Sequence, residues 1–112
     1  MDPAPIPRPT ANGKVISIAR IFVKPGCEER MSEYLTAIRK EAGSEKGTLT
    51  YRTTRALGSD GAFVVFEEYT GEEAVKQHYK GKAFTEMATV FGKEDILDTS
   101  RGGVELEYYE EF

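Results

Sequence analysis

Within Phe63–Phe84, FVVFEEYTGEEAVKQHYKGKAF, three side chains are suited to moving a proton: Glu67, Tyr69 and His78. His78 is the only histidine of the chain. Imidazole titrates nearest neutral pH, which fits it for general-base work on a phenol or for partnering an oxyanion. It stands four residues after Ala74 and shares a helix side with Val75 and Tyr79, so it points inward. That placement equally suits a histidine that ties its helix to the sheet or to a partner by a hydrogen bond. Glu67 and Tyr69 are two residues apart in an alternating segment and share a face with Phe63 and Val65. A carboxylate there must be paired or line a polar pocket, because an isolated buried charge is very costly. Either an ion pair with Arg52 or Arg55 on the adjoining strand satisfies it, or a raised pKa lets it accept a substrate proton.

Hydrophobic period and Gly/Pro punctuation define the elements that must hold these groups. Lys14–Val23 is rich in β-branched residues and reads as a strand, with Val15, Ser17, Ala19 and Ile21 on one face and Ile16, Ile18, Arg20 and Phe22 on the other. Both faces are largely apolar, which predicts cover on both sides. Pro25 and Gly26 stop it. Glu28 and Glu29 favour a helix start, and Met31, Leu35, Ile38 and Ala42 give that helix one apolar stripe. Thr48–Ala56 and Ala62–Thr70 read as strands joined through the Gly58–Gly61 turn. Glu72–Tyr79 is a short helix, and after Gly81 a second helical piece spaces Phe84, Met87, Ala88 and Phe91 for one face. Val104–Phe112 is a last strand. Its glutamates at 105, 107, 110 and 111 mark a solvated edge.

The order β-α-β-β-α-β predicts an α+β fold, the ferredoxin-like split unit, with a four-stranded antiparallel sheet in the order 4-1-3-2 and helices on one face. Ile16, Ile18, Phe22, Val64 and Phe66 then lie on the face without helices, which predicts association with a second copy. Arg20 and Glu68 fall on that side too, where, on paired strands or across the two sheets of a dimer, they are expected to neutralise each other and fix dimer register.

The chain has 112 residues, enough for one small domain with a two-layer core. Residues 1–13 hold four of the five prolines and read as a flexible tail, leaving 14–112 as the domain. The net charge of −4, with Lys and Arg scattered, makes nucleic acid a poor partner. No apolar run approaches a membrane span and no leader-like segment is visible, so a cytoplasmic protein without membrane association is expected. With one cysteine and one histidine, neither an internal disulfide nor a zinc-type cluster can be assembled, and no metal is expected. Cys27 stands at a helix start, where the dipole can lower a thiol pKa. With no resolving cysteine or nearby histidine in sequence, it reads as an inert thiol.

The opening strand followed by Val23-Lys24-Pro25-Gly26, the Glu67-Glu68-Tyr69 strand end, and Glu72–Phe84 with Ala74, His78 and Phe84 in that order resemble the antibiotic biosynthesis monooxygenase superfamily. Its members are dimeric α+β barrels, and the resemblance spans Lys14 to about Tyr109. They include cofactor-free quinol and anthrone-type monooxygenases, haem-degrading enzymes and proteins of unassigned role, so the fold does not select the chemistry. The haem-degrading branch carries an asparagine late in the first strand and a tryptophan ending the third. Ala19 and Tyr69 stand at the matching positions here, which argues against haem breakdown.

The resemblance implies a cofactor-independent monooxygenase that takes a small electron-rich aromatic substrate, a quinol, anthrone or phenolic polyketide, and dioxygen. In this reading His78 transfers the proton, Tyr69 orients the substrate oxygen and Glu67 completes the catalytic set. Ser17, Ala19, Tyr51, Phe84, Met87 and Phe91 are expected to bind the substrate. Ser17 and Ala19 are small enough to leave room for a planar ligand, or simply to allow close helix-to-sheet packing. A non-oxidative isomerase, cyclase or decarboxylase on a similar substrate fits the same groups, as does a non-enzymatic dimeric ligand-binding domain.

Overall fold

The computed structural model describes residues 3–112. Its elements follow the order β1 (Val15–Phe22), α1 (Glu28–Ala42), β2 (Thr48–Arg55), β3 (Ala62–Tyr69), α2 (Glu72–Tyr79), α3 (Lys82–Lys93) and β4 (Val104–Tyr109). A one-turn 3-10 helix at Thr99–Arg101 precedes β4 and was not foreseen. All pairings are antiparallel, and the sheet order β2-β3-β1-β4 is the expected one. The last strand stops at Tyr109, short of the expected Phe112, while Val23 continues past β1 only as a single bridge to Leu97.

Alternation along β1 and β3 decides which side chains meet the helices. Val15, Ser17, Ala19 and Ile21 are buried on β1, and Phe63, Val65, Glu67 and Tyr69 on β3. Against them lies the α1 stripe of Met31, Leu35, Ile38 and Ala42, all buried as the spacing predicts. On the opposite face Ile16, Ile18, Phe22, Val64 and Phe66 are only half-buried, so within one chain the cover expected on both sides is present on one. Arg20 is exposed there and pairs in register with Val64 and Glu105, whereas Glu68 lies opposite Ile16 and Thr50. The expected Arg20–Glu68 neutralisation therefore does not form within the chain. A four-residue offset along the strand separates the two by about 13 Å.

Residues 1 and 2 of the expected tail lie outside the described residues; within 3–13 the segment makes contacts with the end of the chain and with the sheet. Arg8 pairs with Glu110 at 2.9 Å, the Tyr108 hydroxyl donates to the Ala4 carbonyl, and Ile6 packs on the small cluster of Val15, Tyr69 and Val75. Among the described residues, no helix is long and apolar enough to cross a membrane, and no three His, Cys, Asp or Glu side chains are grouped to hold a metal ion.

Candidate functional site

β1 and β3 bring Ser17 directly opposite Glu67, and β2 brings Tyr51 opposite Glu67 from the other side. Opposed residues of an antiparallel pair share a face, so all three look toward the helices. A register shift between Thr48 and Thr50 makes this possible. The extra residue, exposed Leu49, lets both Thr48 (opposite Tyr69) and Tyr51 (opposite Glu67) face the same layer. α2 then sets Val75 and His78 onto this patch of sheet.

The resulting cluster is dry. Tyr69 is 0% exposed, Ser17 and His78 2% and Glu67 5%. His78 is ringed by aromatic side chains: Tyr51 at 5.1 Å between ring centroids, Tyr69 at 5.6 Å, and Tyr79 and Phe84 at 5.9 Å each. The Tyr69 hydroxyl donates to Glu67 Oε1. On one side of the imidazole, Nδ1 lies 2.8 Å from Glu45 Oε1. On the other, Nε2 faces Glu67 Oε1 at 3.8 Å, beyond hydrogen-bond reach, and has no partner among the described residues. An unsatisfied buried polar atom costs about 1–3 kcal/mol.

The electrostatics follow from this burial. Desolvation pushes the Glu67 carboxyl up from its ordinary range, opposed by the Tyr69 hydrogen bond, the charge of His78 and a hydrogen bond from Ser17. Desolvation also raises the phenols of Tyr51, Tyr69 and Tyr79, and the nearby Glu67 charge adds to it. These tyrosines are therefore neutral donors at physiological pH. Proton acceptance falls to His78 and the carboxylates.

Glu67 does not pair with either arginine considered from the sequence. Arg52 is opposite Phe66 and exposed, and the Arg55 guanidinium donates to the Ser32 hydroxyl at 2.7 Å. The register turns Arg52 to the other face and leaves Arg55 at the far end of the hairpin. Of the expected site residues, Ser17, Tyr51, Glu67, Tyr69, His78 and Phe84 come together. Ala19, Met87 and Phe91 belong to the adjoining apolar core with Ile21, Val65 and Leu35. Cys27 precedes α1, partly buried against that core.

Glu45 and Tyr79 were not singled out from the sequence. Glu45 reaches His78 because the loop after α1 presses on α2. A Cβ at Gly47 would sit closer than 3.0 Å to Ala74, and one at Gly81 would meet Glu41 as closely. Two glycines flanking α2 and its facing loop were the available signal, and only the tertiary contact gives them meaning. Among the described residues, the surface cavities with volumes of about 110–550 Å³ are lined without Ser17, Glu67, Tyr69, His78 or Phe84. The rings themselves fill the space around the imidazole.

Residues 14–90 match the family model for antibiotic biosynthesis monooxygenase. No curated protein matches the chain. Among solved structures, a Pseudomonas aeruginosa protein superposes with a TM-score of 0.78 at 21% identity, covering 89% of this chain and 95% of that one. A conserved protein from Methanosarcina mazei gives 0.77 at 20% identity, with 90% and 95% covered. A Caulobacter crescentus protein named for the same family gives 0.76 at 22% identity, with 90% and 92% covered. At these identities the likeness is one of fold.

Proposed function

Because the chain belongs to the antibiotic biosynthesis monooxygenase family, in which some members are monooxygenases, we propose that it oxidises a small electron-rich phenol, quinol or anthrone with dioxygen and no added cofactor. The observation that carries this reading is the buried His78 Nε2, unpartnered and facing the Glu67–Tyr69 pair inside an aromatic cage. A phenolic hydroxyl placed there supplies the missing hydrogen bond and is in position to lose its proton to the imidazole. Tyr51 and Phe84, each half-buried, are the rings that turn aside to admit it.

In this scheme the substrate O–H bond breaks and its proton goes to Nε2. The phenolate's ring carbon donates an electron pair to dioxygen in two one-electron steps, forming a C–O bond and a peroxide that takes up a proton. Loss of the carbon-bound hydrogen as a proton then cleaves the O–O bond, leaving a quinone carbonyl and water. One dioxygen is consumed per substrate, and the proton first taken by His78 is returned in the water. Glu67 stabilises the imidazolium across 3.8 Å, and Tyr69, whose hydroxyl donates to Glu67 in the structure, orients the substrate oxygen by turning that donor onto it as its charge develops.

The half-buried apolar sheet face of Ile16, Ile18, Phe22, Val64 and Phe66 supports a homodimer closed over that face. A second reading, a dimeric ligand-binding domain without catalysis, draws on the filled cage and on cavities that lie elsewhere. Oxygen uptake with a panel of quinols and anthrones separates the readings. Stoichiometric uptake and quinone formation support oxidation, product formed equally fast under anaerobiosis supports isomerase or decarboxylase chemistry, and saturable binding without turnover supports the second reading.

A further inference from the structure

We propose that Glu45 is the solvent end of a proton path that runs to His78 Nδ1 and, through the ring, to the bare Nε2 inside the cage. Its use in turnover rests on the reading of His78 as proton acceptor, but the path itself is a property of the folded protein.

Glu45 occupies the loop between α1 and β2 and faces two ways. Its Oε1 lies 2.8 Å from His78 Nδ1 and also accepts the Thr48 hydroxyl at 2.7 Å. Its Oε2 lies toward Gly81, where a Cβ would come within 3.4 Å of it. Gly81 and Glu45 both line an open surface cavity of about 460 Å³, together with Ser44, Lys46, Gln77 and Lys80. The Glu45 side chain is 18% exposed, against 2% for His78 and 6% for Glu67. A carboxylate that served only to pin the ring would do so as well when sealed. Here one carboxylate oxygen holds the buried imidazole while the partly exposed side chain lines the open cavity, so the carboxylate links the cage to the surface.

The two imidazole nitrogens are needed together. A proton arriving at Nε2 from inside allows the Nδ1–H bond to break toward Glu45 Oε1, and the resulting carboxyl gives its proton to water in the cavity. Imidazole is neutral before and after, with its proton moved from one nitrogen to the other. The reverse sequence returns a proton to the cage. Tyr51, Tyr69 and Tyr79 around the ring have phenols raised by burial and hold their protons, so they do not short-circuit the path. The other charged groups facing it are Glu67 from β3, Glu41 from α1, and Lys46 and Lys80 at the cavity.

The chain's single histidine makes the test direct. Protein labelled with 15N-histidine gives one imidazole, whose tautomer and rate of proton exchange with solvent are read by NMR. The wild type is expected to carry its proton on Nδ1, with Nε2 bare, and to exchange measurably. Glu45→Gln can still accept the Nδ1 hydrogen bond through its amide oxygen, but an amide does not take up the proton. Exchange is expected to slow about tenfold or more, with Glu45→Asp intermediate. If Glu45→Gln fails to fold, Glu45→Asp carries the test, because the shorter arm must slow exchange while keeping the charge. Exchange as fast as wild type in the variant that folds overturns the path. In turnover, Glu45→Gln is expected to lower kcat about 10- to 100-fold with KM unchanged and to be restored in part by added formate. A wild type that consumes no oxygen with any aromatic defeats the proposed function and leaves the exchange result standing on its own.

Discussion

Gly47→Ala tests whether the close approach of the α1–β2 loop to α2 is what builds the site. Gly47 is not among the glycines with positive φ, so alanine there is conformationally unstrained. From the unfolded state alone it should stabilise by about 0.4–1 kcal/mol. The packing opposes this. The new Cβ would fall within 3.0 Å of the Ala74 Cβ, 3.2 Å from Thr70 Oγ1 and 3.3 Å from Ala74 Cα, where ordinary contact begins at 3.4 Å. The loop and α2 must therefore part by at least 0.4 Å. Overpacking of this kind costs about 1–3 kcal/mol, leaving a net loss of about 0–2.6 kcal/mol, centred on about 1.3 kcal/mol, or roughly 5 °C in Tm for a domain of this size. The same parting draws His78 on α2 away from Glu45 on the loop. Thermal unfolding gives the stability and the imidazole 15N spectrum gives the contact. Ala74→Gly alone should cost about 0.5–1 kcal/mol as a helix glycine. Combined with Gly47→Ala it should recover part of the loss, with a coupling of about 1 kcal/mol or more. A Gly47→Ala protein clearly more stable than wild type, or strictly additive variants, would show that the loop and α2 are not in close contact.

Two further outcomes follow from the same geometry. Burial raises the Glu67 carboxyl above its ordinary value near 4.5. From there up to the raised value the native state holds the extra proton, so stability falls as pH climbs through that window, by about 1.4 kcal/mol per unit of raise, and the loss persists above it. Glu67→Gln is therefore expected to be more stable than wild type at pH 8, with the advantage fading toward pH 4. Parallel melting curves across that range would contradict it. Phe66→Glu puts a charge on the half-buried sheet face without touching the helix layer. Light scattering should show a dimer in the wild type and a monomer in the variant, and a wild-type monomer at micromolar concentration removes the proposed association.

The strands, the α1 stripe and the sheet order were legible because each depends on local period and on a connection rule that leaves few topologies. Glu67, Tyr69 and His78 were legible as a set for the same reason, since strand alternation and helix register decide which way each points. Tyr51 reached the site only through the bulge at Leu49. Such a one-residue slip is set by the neighbouring strand and leaves little trace in the residues themselves. Glu45 follows a helix end in a stretch of polar residues and looks like any solvated loop glutamate. Its role comes from a helix that lies 33 positions away in the chain. The Arg52 and Arg55 pairing with Glu67 failed because proximity on adjoining strands says nothing about face until the register is known.

On the proposed function, His78 presents a bare Nε2 to a phenolic ligand inside the cage. The most direct measurement is the 15N imidazole spectrum of the single histidine during titration with p-nitrophenol, an acidic phenol that dioxygen does not oxidise under these conditions. Saturable binding is expected, in which Nε2 moves from an unprotonated to a proton-bearing shift while Nδ1 keeps its hydrogen bond to Glu45. Binding that leaves the Nε2 resonance where it was would contradict this reading.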